Sequence, residues 1–249
     1  MGLRTRPGAI ALLAATLLCS ACSTLDYRAV QGDFEHAVRV DNEGTVNPFV
    51  DSSPALYAAV VARLAPDAIE RLDPRLRANA WLLRAYSAWR AGDLETASDS
   101  VVRGRAAAPP PGSRDDVLLA LLPALIVDSE VMDAWEAAGR PATPAWYRQH
   151  EKDFETAWEQ TEQARARRGR ATPPGVDDYL SYQRWRLLRN RLEVISRIDD
   201  PDQLTAALDR GRTQVGRPLQ EAAAGARDEI PAAHALHRLI VGQSERAPR

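Results

Sequence analysis

The sequence predicts an all-α fold built of antiparallel helix pairs. Three observations predict it. Helix start and stop signals are dense, period-two alternation is scarce with only short β-branched runs, and one hexamer pattern recurs at equal spacing. The balance of 45% apolar to 27% charged residues over 249 positions is that of a globular chain, which excludes wholesale disorder. A formal net charge of -2 excludes a globally basic nucleic-acid binder. Lys152 is the one lysine beside 31 arginines, an excess that reads as coding bias rather than function.

The N-terminus comes first in the chain and reads as an address. Arg4 and Arg6 precede an apolar run from Gly8 to Leu18, long enough for a secretory signal and too short to span a bilayer. Leu18-Cys19-Ser20-Ala21-Cys22 follows. Small residues before a cysteine resemble the lipobox of bacterial lipoproteins, and Cys22, preceded by the small Ala21, fits the modified position better than Cys19. The resemblance implies a signal peptide over residues 1–21, a diacylglyceryl group on the Cys22 sulfur, and cleavage before it. The mature chain is then 249 minus 21, or 228 residues. Ser23 at its second position implies sorting to the outer membrane, with the body facing the periplasm. The lipid anchor is the expected membrane contact, since no later segment reads as a span.

The body, residues 22–249, reads as one helical domain. Asp41 to Pro54 is its substantial loop, and Asn47-Pro48-Phe49-Val50 presents apolar side chains there. Asp73 and Pro74 open a helix that Gly92 closes after Ala91. A second runs from Asp93 to about Ala108, where three prolines and Gly112 stop it. Ser113 and Asp116 form a capping-box-like start to a helix carrying the apolar run Val117 to Val127, which Pro123 interrupts. Flanked by Asp115, Asp116 and Asp128, that run reads as a central buried helix, or else as the lining of an apolar ligand cavity. Thr143-Pro144 starts a helix to about Arg168. Further helices are predicted over Val176–Ile198, Asp202–Ile230 and Ala232–Val241, with a frayed tail over residues 242–249.

The hexamers are Gly32-Asp33-Phe34-Glu35-His36-Ala37, Gly92-Asp93-Leu94-Glu95-Thr96-Ala97 and Lys152-Asp153-Phe154-Glu155-Thr156-Ala157, each 60 residues after the last. Each predicts a sharp turn, a capping acid, then an apolar and a small residue packing into a partner helix. Trp81, Ala85, Gly92-Asp93-Leu94, Ala97 and Pro109 fall at the spacing of the tetratricopeptide repeat, and the stretch from Trp81 to Pro109 resembles one such repeat. Ala88 and Gly104 depart from that pattern, and the 60-residue interval is not the family's period. The fold class is therefore a divergent, repeat-like bundle of stacked hairpins. The resemblance implies a concave face with Trp81, Arg84, Trp89, Trp146, Tyr147, Arg184 and Trp185 as binding candidates. Large aromatics at helical spacing are more often core.

No nucleophile elbow, phosphate loop or dinucleotide glycine pattern occurs, so a noncatalytic protein is expected, with no cofactor. His234 and His237 share a helical face, but no third ligand is evident and no metal is assigned. Arginines cluster at Arg165, Arg167, Arg168 and Arg170, and at Arg184, Arg186, Arg189 and Arg191. They form either an anion-binding face or one paired with nearby acids. The expected function is a noncatalytic, outer-membrane-anchored lipoprotein acting as a periplasmic protein-interaction scaffold. The alternative is a binding protein for an apolar small molecule or lipid in the helical core, beside a transport system.

Overall fold

A computed structural model describes residues 26–40, 54–198 and 202. Those residues are all-α: among them, eight helices and no strand. In chain order they are α1 (residues 26–40), α2 (Pro54–Arg63), α3 (Pro66–Glu70), α4 (Pro74–Ala91), α5 (Leu94–Ala106), α6 (Arg114–Ala137), α7 (Pro144–Ala166) and α8 (Pro174–Ile195). They sort into two compact units divided between Pro111 and Gly112, at the proline-rich stop that separates α5 from α6. α2 and α3 are not among the elements predicted from sequence. Of the loop predicted from Asp41 to Pro54, Pro54 is the first residue of α2; the rest of that loop, the helices beyond Asp202, the C-terminal tail and the whole N-terminal address lie outside the described residues.

In the first unit, local chemistry sets α4 and α5. The Asp73 side chain accepts the Arg75 N–H at 2.9 Å, and Pro74 occupies the first turn, where a missing N–H costs nothing. Gly92 ends α4 in the left-handed region at φ +83°, which leaves the Asp93 N–H to close back on the Ala88 carbonyl at 2.9 Å. Asp93 then caps α5 by accepting the Thr96 N–H at 3.0 Å. α4 packs on α2, α3 and α5. Its core residues Ala80, Trp81 and Leu83 meet Tyr27 and Val30 of α1 and Val60, Leu64, Ile69 and Leu72 around α2 and α3.

In the second unit, α6, α7 and α8 pack pairwise. The Ser113 hydroxyl accepts the Asp116 N–H at 3.3 Å while the Asp116 carboxylate reaches back to the Gly112 N–H at 2.9 Å, so the predicted reciprocal start forms with aspartate. α6 continues through Pro123 instead of stopping there. The proline removes the donor for the Leu119 carbonyl, but Val117, Leu119, Leu121, Leu122 and Leu125 are all within 2% of full burial, and that packing offsets the helix-breaking cost. The predicted run is thus core. An apolar ligand would have to displace these side chains to enter it.

Two of the three hexamers do not turn the chain. Gly32 to Ala37 lies inside α1, and Lys152 to Ala157 lies inside α7. What the three share is packing: Ala37, Ala97 and Ala157 are buried to within 1%, each three residues after an apolar partner. An apolar and a small residue at i and i+3 mark one helix face. Only the copy at Gly92 also has the left-handed glycine that a turn requires.

Candidate functional site

The seven binding candidates fall into both units. On α4, Trp81 is 1% exposed and sits in the core, with the Arg103 guanidinium 5.3 Å from its ring centroid. Arg84 donates from Nη1 to the carbonyls of Val61 at 2.7 Å and Leu64 at 3.1 Å, closing the C-terminal end of α2. Burial pushes its pKa down. Trp89 packs edge-on against Tyr86 in an aromatic group completed by Phe34 and Tyr57.

In the second unit, half-buried Trp146 stacks on His150 at 4.2 Å. Tyr147 is buried, and its hydroxyl accepts from Arg191 Nε at 2.9 Å. Arg184 pairs with Glu162 at 2.7 Å and lies 5.1 Å from the Trp158 ring centroid. Trp185 is on α8; its side chain is outside the described set, as are Cys22, His234 and His237. The structure therefore gives each described candidate a structural partner and gathers no binding face from them.

The arginine clusters are largely paired within the unit. Arg167 bonds Asp116 at 2.8 Å, Arg168 bonds Asp177 at 2.6 Å, Arg165 meets Glu162 at 3.5 Å, and Arg186 meets Asp128 at 3.3 Å. Arg191 lies 3.8 and 3.9 Å from Glu151 and Glu155. An internally paired face is what these distances describe.

The strongest site is one that the sequence reading placed as a flank. Asp128 is 1% exposed, in the middle of α6. Its Oδ2 accepts from Asn190 Nδ2 at 2.7 Å and from Arg186 at 3.3 Å, both on α8, while Oδ1 is buried without a hydrogen-bond partner. Burial pushes its pKa up to about 6 against the opposing pull of the Arg186 charge and the Asn190 hydrogen bond. Beside it, Phe154, Ala157, Trp158, Leu187, Leu188 and Arg191 line a small cleft of about 10 Å³, room for one water molecule. The signal for Asp128 was present in the spacing. Ala124, Asp128, Val131 and Trp135 recur at intervals of four, three and four, which is one buried stripe of a helix.

Chemically this arrangement is a buried carboxyl group whose ionised form burial disfavours and Arg186 and Asn190 support. Among the described residues, no group of three or more His, Cys, Asp or Glu is placed to hold a metal ion, and no helix is long and apolar enough to cross a membrane. No protein-family model, curated protein or solved structure matches the chain.

Proposed function

We propose that the protein is a noncatalytic lipoprotein, anchored in the outer membrane through Cys22, whose helical hairpins act as a scaffold for a periplasmic protein partner. The observation that carries this reading is the α4–α5 pair. Trp81 and Ala85 are buried on α4, Gly92 takes the left-handed turn, and Ala97 is buried on α5. These four positions support the tetratricopeptide-like reading, while Ala88 and Gly104 depart from that pattern. Such hairpins bury one face on their neighbours and offer the rest for binding. With Trp81, Trp89 and Tyr147 committed to core, partner contact falls to exposed positions such as Arg75, Val102 and Tyr182.

Two measurements test the proposal. Labelled palmitate should enter the wild-type chain, and Cys22→Ala should abolish incorporation and leave an unprocessed precursor. Photo-crosslinkers placed in cells at Arg75, Val102 and Tyr182 should capture one stoichiometric protein. Label that persists in Cys22→Ala overturns the anchor; crosslinks to lipid or metabolite alone overturn the scaffold.

A further inference from the structure

The two carboxyl oxygens of Asp128 have different surroundings. Oδ2 accepts from Asn190 at 2.7 Å and from Arg186 at 3.3 Å, whereas Oδ1 is buried and accepts from no protein donor. A carboxylate has lone pairs for about four donors, and a buried oxygen that meets none is held at a cost. Asp128 is also one wall of the cleft of about 10 Å³, a space that admits one molecule the size of water and nothing larger. The other charged residue on its walls is Arg191 of α8; the rest are apolar or aromatic, Ala157 of α7 and Leu187 and Leu188 of α8 among them. Arg191 is 6% exposed. Its Nε donates to the Tyr147 hydroxyl at 2.9 Å, and its Nη2 stands 3.8 and 3.9 Å from Glu151 and Glu155, beyond direct hydrogen-bond reach. A molecule in the cleft thus meets an acid on one wall and a guanidinium on another. Arg191 repels a cation there and ionised Asp128 repels an anion. A neutral molecule that both donates and accepts suits both walls.

We propose that this cleft is a binding site for a single water molecule, which donates to Asp128 Oδ1 and accepts from the Arg191 guanidinium. Two polar partners are what a buried water needs at the least, and these two supply one acceptor and one donor. The water then bridges α6 to α8 against the apolar surface of α7, and it extends the Asp128–Asn190 and Asp128–Arg186 bonds into one polar joint between those helices.

The test uses the whole chain with carbon-13-labelled alanine and leucine methyl groups. Ala157, Leu187 and Leu188 line the cleft, so their methyls should show cross-relaxation peaks at the water frequency. The laboratory-frame and rotating-frame Overhauser effects should have opposite signs, the mark of a water that stays for nanoseconds or longer. Asp128→Leu removes the acceptor and should abolish these peaks. A wild-type chain that lacks them has a dry cleft, and the site is overturned. Peaks that survive in Asp128→Leu overturn the role given to the carboxylate. If Asp128→Leu does not fold, Ala157→Val decides. Its two added methyls occupy the cleft and should expel the water, with loss of the peaks at Leu187 and Leu188. If those peaks persist, they arise elsewhere and the site is overturned.

Discussion

Substitution of matched glycines in the first and second hexamers should change stability in opposite directions. Gly92 has φ +83°, and a Cβ built there meets nothing within 4 Å. Gly92→Ala therefore meets no neighbouring side chain, and its cost is that of the backbone conformation alone. The left-handed conformation costs an L-residue about 1–2 kcal/mol. The stiffer unfolded chain returns about 0.4–1 kcal/mol. The net expectation is a loss of about 1 kcal/mol. Gly32 also has open space at its Cβ, but it lies inside α1. Gly32→Ala should therefore gain about 0.5–1 kcal/mol, the difference between alanine and glycine in a helix interior. Both residues belong to the first unit, so one experiment reads both: hydrogen exchange of α1 and α4 peptides across a urea series. Opposite signs are required. If both variants lose stability, Gly32 marks a turn after all and the separation of packing from turning within the hexamer is wrong.

Two further substitutions test single contacts. Arg84→Met removes both bonds to the Val61 and Leu64 carbonyls and should cost about 1–3 kcal/mol, appearing as faster amide exchange in α2; unchanged α2 protection would refute the capping role. For Asp128, a folded pKa of about 6 against an ordinary 3.8 means the ionised form costs the fold about 3 kcal/mol at neutral pH. Between those two values the folded chain holds a proton that the unfolded chain lacks, so this group's contribution to the second unit's stability rises as pH falls through that window. Asp128→Asn should lack that rise, and a wild-type-minus-variant difference that stays flat from neutrality down to the ordinary carboxylate pKa would sink the assignment.

What was legible in the sequence follows from how far each signal reaches. α4 could be read from first residue to last because Asp73, Pro74 and Gly92 act within a turn of themselves. The Ser113–Asp116 start was legible for the same reason. The hexamers misled because an apolar and a small residue three apart describe a packed face, and a face has no opinion about whether the chain turns before it. Lys152, in the third copy, lacks the glycine that would have decided the matter. Asp128 shows the opposite limit. Its stripe spacing declared it buried, but the groups that make it a site, Arg186 and Asn190, lie 58 and 62 residues further along the chain. No local pattern connects them; only the packing of α6 on α8 does.

Sequence alone offers Arg184 as a residue to mutate when testing partner binding. Arg184 pairs with Glu162, and Arg191 lies near Glu155. The arginines are seven apart on α8 and the glutamates seven apart on α7 in the reverse direction, so the two contacts fix one antiparallel register at heptad spacing. A buried or half-buried ion pair contributes little against an apolar pair of the same shape, but breaking one side of it is costly. Sliding α8 by one turn would strand the Arg184 guanidinium, while Arg191, already near both Glu151 and Glu155, would keep a carboxylate within reach. Arg184→Glu faces Glu162 with a like charge in a site where the arginine side chain is 12% exposed, and it should cost about 2 kcal/mol. Lost partner binding in that variant would therefore report damage to the α7–α8 joint. The charge swap, Arg184→Glu with Glu162→Arg, separates the two effects. It should recover most of the stability by thermal unfolding while inverting the charge that any partner meets. If the swap is no more stable than Arg184→Glu alone, the pair does not set the register, and the Arg184 guanidinium is held by the Trp158 ring instead.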